Sequence, residues 1–247
     1  MRTFTSSYFW LALILVLSLS TSISAQHVAG EHTMAHEASG ASQWEGSPEG
    51  IAYSEFNHHM LAAFVLLIGL SELRAAFARR SLAWTRFVLP LAMLAAGGYL
   101  LGWSDHDAWP IGSLSFSQTF FGGDWEILQH KLLSLLLLSV GMIEGVRLYA
   151  NRKAPAWTTL PLPVLAIVAG VFLFLHQHGN HPGSHSIMLH HVFMGSTAIA
   201  AGSSRLAMSG VIGGSAPEKH WALRLAWPGL ILLIALQLWL YKDGPSG

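Results

Sequence analysis

The stretch ILQHKLLSLLLLSVGMIEGVRL, residues 127–148, decides the fold of this chain. It is an apolar run close to the ~20 residues that an α-helix needs to cross about 30 Å of hydrocarbon. Five further runs of similar length and character occupy residues 57–76, 86–103, 158–176, 187–206 and 221–241. The sequence therefore predicts an all-α integral membrane protein, a six-transmembrane-helix bundle formed by residues 55–247.

The overall composition agrees with this class of protein. Of the 247 residues, 52% are hydrophobic and only 11% are charged, the formal net charge is zero and the mean hydropathy is +0.46. Soluble domains carry about 25% charged residues. This apolar composition makes the lipid bilayer an expected partner. Nucleic acid is not expected, because no basic stripe is present to neutralise its phosphates.

The N-terminal 54 residues differ from the rest. Residues 1–25 combine a short basic start, an apolar core of about a dozen residues and a small-residue pattern ending at Ala25, which predicts a cleaved signal peptide. An uncleaved anchor is the alternative, although the apolar core is shorter than a span requires. Residues 26–54 are small, polar and Gly-rich, contain three histidines and no Lys or Arg, and predict a flexible periplasmic tail.

The basic residues predict the orientation of the bundle. Arginine and lysine flank the first, third and fifth connections between the apolar runs, whereas the second and fourth connections contain neither. Cytoplasmic loops carry the excess of Lys and Arg in membrane proteins. We therefore expect a multi-pass protein of the bacterial inner membrane, with its mature N-terminus and its C-terminus in the periplasm.

The histidines are sorted by side in this topology. Of the 14 histidines, all but His220 fall at the outer surface. Neither packing nor capping requires imidazole in one leaflet only. Imidazole together with the thioether of Met suits transition metals and copper in particular, and the chain has no Cys. The pattern predicts a periplasm-facing vestibule that binds copper or a related transition metal.

Two motifs near the outer helix ends contribute to this prediction. His130 follows Glu126 by four residues, so that the carboxylate and the imidazole share a helix face and the first can orient the second. The adjacent Lys131 is expected to extend outward to the membrane interface. His58 and His59 point about 100° apart on a helix, so at most one of them is expected to face the bundle interior.

A second group of candidates surrounds the fourth connection, HQHGNHPGSHS at residues 176–186. Its closely spaced imidazoles can chelate a metal, as a low-affinity collector or as part of a defined site. Farther on, His190 and Met194 share a face of the next helix, although a Met at this spacing is more often a packing residue. The complete candidate set is His58, His59, Glu126, His130, His176, His178, His190, His191 and Met194.

The SDHD turn at residues 104–107 is open to two interpretations. Its Asp105, His106 and Asp107 offer carboxylate and imidazole ligands to a metal. A solvated acidic turn accounts for the same residues almost as well.

The succession FNHHMLAAFVLLIGL, WSDHDAWPIG, WEILQHKLLSLLLLSVGMIEG, HQHGNHPGSHS and LHHVFMGSTAIAAGSSRL resembles the membrane region of bacterial copper resistance D (CopD-like) proteins. The similarity covers most of residues 55–208. It implies an inner-membrane helical protein of copper handling, transport or resistance, with periplasmic copper carriers as partners. The ligands that it implies are the outer-end histidines His59, His130, His176, His178 and His190. The chain departs from longer members in its signal peptide, its His-containing tail and its smaller number of spans.

Two alternatives to copper remain open at this level. Paired histidines on facing helices are also the ligands of haem b in membrane electron carriers. A non-catalytic scaffold or pH sensor would use the same imidazoles, since they change charge near pH 6 to 7. No Gly-x-Ser-x-Gly elbow, phosphate loop or His-Glu-x-x-His motif is present, so we do not expect an enzyme unless a bound metal or haem is redox-active.

Overall fold

The computed structural model describes Trp44 and residues 46–77, 83–150, 155–176, 184–209 and 221–243. All regular secondary structure within these residues is helical. The predicted signal peptide, most of the predicted tail, and His178 lie outside the described residues. The long helices are α1 (Pro48–Phe77), α2 (Val88–Trp103), α4 (Trp125–Ala150), α5 (Pro161–Leu175), α6 (Ser184–Met208) and α7 (Trp221–Trp239), and the short α3 (Phe116–Phe121) lies between α2 and α4.

The six long helices form a closed ring. Each packs against the next long helix in chain order, and α7 returns to pack against α1. One end of the ring, which we call the histidine end, carries His58, His130, His176 and His191. The opposite end, the arginine end, carries Arg86, Arg147, Arg205 and Arg224. The ring thus separates two sets of ionisable residues along its axis.

Within the described residues, four helical segments are long and apolar enough to cross a membrane. They are Pro48–Phe77, Trp84–Trp103, Trp125–Ala150 and Trp157–Leu175. Their outward faces expose large apolar side chains such as Leu67, Leu70 and Leu91, which match hydrocarbon far better than water. The all-α class and the membrane-embedded character predicted from the sequence are confirmed to this extent, and spans five and six stay predictions.

The two remaining long helices, α6 and α7, fall short of the length or the hydropathy of a membrane span, each for an identifiable reason. In α6, apolar residues are diluted by small residues that allow close packing against α5. A Cβ atom added at Gly170 of α5 would lie 2.6 Å from the carbonyl oxygen of Gly195, and one added at Gly202 would lie 2.5 Å from that of Pro163. In α7, the apolar part Arg224–Trp239 is short. The glycines of α6 thus serve close backbone-to-backbone packing against α5, while its histidines and serines lower its hydropathy.

The first helix begins at Pro48, within the segment 26–54 that was predicted to be a flexible tail. Ser47 precedes it, and its hydroxyl accepts a hydrogen bond of 3.1 Å from the backbone N–H of Gly50. Proline at the first helical position and Glu49 in the first turn also favour a helix start. The predicted boundary at residue 55 is wrong because this polar start signal was not recognised.

A cavity of about 780 Å³ lies inside the ring, and all six long helices contribute to its wall. Near the histidine end its lining is polar, whereas deeper it is formed by apolar residues of the main core. That core comprises Ile68, Leu89, Ala92, Met93, Val140, Leu162, Leu165, Ala201, Trp227 and Ile231. The ring therefore encloses a pocket with polar groups at one end and a hydrocarbon-like floor.

Candidate metal centre

Four of the imidazoles that line the cavity at the histidine end lie on or directly after four different long helices: His58 on α1, His130 on α4, His176 just after α5 and His191 on α6. The exposed His106, in the turn after α2, lines the cavity as well. The ring centroids of His130 and His176 are 5.0 Å apart, and those of His176 and His191 are also 5.0 Å apart. The His58 ring lies 6.2 Å from that of His191. Histidines that are far apart in the sequence thus form one continuous cluster.

Asp105 holds the ring of His130. The two side chains meet with 2.8 Å between Nδ1 of the imidazole and Oδ1 of the carboxylate. An ionised carboxylate can only accept, so Nδ1 is the donor and Nε2 is left as the position for a ligand. Burial raises the pKa of Asp105, but the charge and hydrogen bond of His130, a hydrogen bond from Ser104 and the charge of Lys131 outweigh it and hold that pKa below its usual range.

Lys131 is fully buried, although the sequence predicted that it would extend outward. Its Nζ donates to the Leu101 carbonyl oxygen at 2.9 Å and to Oγ of Ser104 at 3.3 Å. The same atom lies 3.4 Å from Oδ2 of Asp105. The expectation is wrong because the end of α2 offers carbonyl groups without helical donors, and a cation is favoured there. Lys131 thereby anchors the carboxylate that orients His130.

His176 is held in a comparable way by Gln129. Its Nδ1 lies 2.8 Å from Oε1 of the Gln129 carboxamide, an acceptor atom, which again leaves Nε2 as the outward position. That Nε2 is 3.9 Å from Oε1 of Glu126. The Gln129 amide nitrogen is buried and makes no hydrogen bond within the described structure, an arrangement that costs about 1 to 3 kcal/mol. Packing alone gives no reason for that cost, whereas orientation of His176 does.

Glu126, His130 and His176 form the group best placed to hold an ion. One ligand atom from each lies within 4.8 Å of the others. Ligand atoms about 2.1 Å from a shared metal are at most about 4.2 Å apart, so a pair of atoms at the 4.8 Å limit would have to approach by roughly 0.6 Å. Side-chain rotation supplies a movement of this size. The donor set of two imidazoles and one carboxylate suits borderline metals such as Cu(II) or Zn(II).

His58 and His191 extend the cluster away from this group. Nδ1 of His58 lies 2.8 Å from the Ser54 carbonyl oxygen, so it is a donor, and the ring stacks on Tyr241 with centroids 3.7 Å apart. His191 is 2% exposed. Burial raises the pKa of the Tyr241 phenol well above its ordinary value, so this ring stays neutral beside the imidazoles. A third histidine thus has its Nδ1 on an acceptor oxygen.

The other predicted residues lie at the edge of the cluster or below it. His59 contacts Trp239, with ring centroids 5.6 Å apart, and His190 contacts Tyr241 at 5.7 Å. Neither lines the cavity, whereas their neighbours His58 and His191 do. The resemblance implies His59 and His190 as ligands, whereas the neighbouring His58 and His191 line the cavity. One residue makes this difference because a helix turns about 100° per residue. Met194 lines the cavity lower down and packs against Ala62 and Leu238.

Sequence reasoning missed the roles of Asp105 and Gln129. A signal for Gln129 existed, because Glu126, Gln129 and His130 fall on one face of a helix that is otherwise apolar. The pairing of Asp105 with His130 has no local signal, since it joins residues from α4 and from the end of α2. The adjacent His106 and Asp107 are exposed and pair with each other at 3.0 Å, and both also line the cavity.

Comparisons of the chain with protein-family models, with curated proteins and with solved structures find no match. The function must therefore be argued from the residues of the histidine end.

Proposed function

We propose that this is a bacterial inner-membrane protein that binds copper or a related transition metal at its histidine end and serves copper handling or resistance. The observation that carries the proposal is the orientation of two facing imidazoles. Nδ1 of His130 lies on Asp105 and Nδ1 of His176 lies on Gln129, each at 2.8 Å. Outer partners of this kind fix the tautomer and direction of histidines that bind metals.

A metal at this place would be held by Nε2 of His130, Nε2 of His176 and the carboxylate of Glu126. Binding at each Nε2 takes the position of a proton, so metal affinity should fall in acid. His58 and His191 would supply further imidazoles to a second ion or to a relay between them. Met194, lower in the cavity, would add a thioether suited to Cu(I).

The membrane topology in this proposal has six spans: the four long apolar helices, and in addition α6 and α7. A signal peptide over residues 1–25 and the basic residues at the arginine end support a periplasmic histidine end and a periplasmic C-terminus. Periplasmic copper carriers would then be able to reach the site. The resemblance to copper resistance D proteins supports the same assignment.

Haem b is the second candidate, and the size of the cavity favours it. A space of about 780 Å³ with four histidines at one end and an apolar floor has the character of a cofactor pocket. Against it stands Glu126, whose carboxylate converges with His130 and His176 and suits a cation directly bound to the protein. The two candidates differ in a spectrum, because haem gives a Soret band and copper does not.

Elemental analysis tests the proposal. The full chain, purified in detergent and stripped with a chelator, should retain about one Cu or Zn per molecule after loading and gel filtration, without a Soret band. Deleting residues 27–45, part of the tail predicted from the sequence to be flexible, should lower capture at scarce metal and leave this tight site, because ligands on a flexible segment would lose more entropy on binding. Failure to retain metal, or loss of all retention on deletion, would contradict the proposal. A Soret band would favour haem instead.

A further inference from the structure

A second cavity, of about 330 Å³, lies at the arginine end of the ring. Four arginines from four different elements line it: Arg86 before α2, Arg147 on α4, Arg205 on α6 and Arg224 on α7. Trp227 lines this cavity as well as the large one and thus lies between them. The guanidinium groups converge on a common space although they come from distant parts of the sequence.

Two of these arginines are neutralised by buried carboxylates. The Arg205 guanidinium pairs with Glu72, which also accepts a 2.7 Å hydrogen bond from the indole N–H of Trp227. Arg147 pairs with Glu144 on its own helix, whose side chain is 1% exposed. These pairs fix the far wall of the cavity and leave no surplus charge there.

The other two arginines keep their charge. The guanidinium of Arg224 donates to the backbone carbonyl oxygen of Ala76 at 2.8 Å, and that of Arg86 lies over the ring of Phe87 at 5.0 Å. Within the described part of the chain neither contacts a carboxylate. Four arginines against Glu72 and Glu144 leave a surplus of two positive charges. A cavity with this surplus repels metal cations and attracts anions.

The remaining wall of the cavity is apolar and includes Leu89, Leu148, Met208 and Pro228. Guanidinium groups bind phosphate oxygens through paired N–H donors. Basic pockets between membrane helices on the cytoplasmic side are suited to anionic lipid head groups. We propose that Arg86 and Arg224 bind a phosphate oxyanion in this cavity, either the head group of an anionic phospholipid, whose chains the apolar wall would accept, or free inorganic phosphate.

Native mass spectrometry of the full chain tests the proposal, with three probes compared: phosphatidylglycerol, phosphatidylcholine and inorganic phosphate. Wild-type protein should retain phosphatidylglycerol in preference to phosphatidylcholine. Competition by millimolar phosphate would identify the free anion as a sufficient ligand, and no competition would identify the lipid. Equal retention of the two lipids with no phosphate bound would overturn the proposal on wild-type protein alone.

Variants then test the assignment to two residues. The Arg86→Gln/Arg224→Gln variant should lose about 30-fold in anion affinity, since each arginine near the membrane surface contributes about a factor of five. Arg74→Gln is the matched control, because Arg74 lies in the last turn of α1 at the same end but does not line the cavity. Arg86→Lys/Arg224→Lys, which keeps the charge, should retain part of the anion affinity. This variant replaces the Gln variant in the test if the Gln variant does not fold. An unchanged preference in the folded Gln variant, or equal loss in Arg74→Gln, would refute the site.

Discussion

The two ends of the bundle hold their charged groups in opposite ways. At the histidine end, carboxylate and carboxamide oxygens hold the Nδ1 atoms of His130 and His176, so that each Nε2 can offer a lone pair. At the arginine end, carboxylates hold two guanidiniums while Arg86 and Arg224 keep their charge within the described structure. Imidazole can bind a cation because it can lose a proton, whereas guanidinium has no acceptor at all. The two sites that we propose, a cation site at one end of the ring and an anion site at the other, follow from this difference.

This difference bears on transport. A copper ion leaving through the arginine end would pass a cavity with a surplus of two positive charges and the Glu72–Arg205 pair beside Trp227. Coulomb repulsion is strong where the surroundings are of low dielectric constant. If the metal site is as proposed, this repulsion favours binding at the histidine end over passage of the ion through the ring in this conformation.

The largest effect should come from His130→Ala. Nε2 of His130 belongs to the group with Glu126 and His176, and its loss removes a direct ligand. We expect copper or zinc affinity to fall by more than ~100-fold, beyond the losses caused by changes in residues that only orient a ligand. The measurement is competition with a chromogenic chelator. His185→Ala is the control, because His185 is exposed and does not line the cavity, and similar affinities in both variants would remove His130 from the site.

Asp105→Asn should have the next largest effect. The amide keeps the size of the side chain but removes the charge that orients His130 and neutralises buried Lys131. Metal affinity should fall by about 10- to 100-fold. Glu49→Gln, a change of the same chemistry at an exposed position that does not line the cavity, should leave the affinity unchanged. A loss from Asp105→Asn no larger than that from Glu49→Gln would contradict the role assigned to Asp105.

Gly170→Ala should lower the stability of the bundle as a whole, with no specific effect on the histidine end or the arginine end. The added Cβ atom would lie 2.6 Å from the Gly195 carbonyl oxygen, so α5 and α6 must move apart. Overpacking of this kind costs ~1 to 2 kcal/mol. Thermal unfolding in detergent should show a lower midpoint for this variant than for Gly98→Ala, whose Cβ would meet no atom within 4 Å. Equal midpoints would show that the close α5–α6 contact is not required.

The smallest effects should come from His59→Ala and His190→Ala. Both residues lie beside the cluster without lining the cavity. Each change should alter metal affinity by less than ~3-fold, as expected for residues that do not touch the ion. His58→Ala and His191→Ala are the paired comparisons and should each cost more. The reverse order would favour the ligands implied by the resemblance over those on the cavity wall.

Sequence reasoning located the helices better than the contacts between them. Apart from the start of α1, the apolar runs place both ends of each long helix within about three residues, because hydrocarbon thickness sets a minimum length. The start of α1 at Pro48 was missed although Ser47, Pro48 and Glu49 form a recognisable start signal. The apolar run of α6 was recognised although this helix also contains many polar and small residues. Only the structure explains two of the small residues, Gly195 and Gly202, which lie in close contact with the backbone of α5.

The candidate site was predictable where it depends on one helix. Glu126 and His130 share a face of α4, and the sequence paired them correctly in space. The sequence could not choose between His58 and His59, since the rotation of α1 depends on its packing against α2 and α7. Nor could it show Lys131 turned inward, because its partners Leu101 and Ser104 belong to the preceding helix and its end.

X-ray absorption spectroscopy of the loaded wild-type protein tests the central claim most directly, because it counts the ligands of the metal. We expect the metal to have a first shell of nitrogen and oxygen atoms at about 2.0 to 2.1 Å, with outer scattering from at least two imidazoles. The same sample should show no Soret band. A shell dominated by sulfur, a shell without imidazole, or a Soret band with haem iron in place of copper or zinc would contradict it.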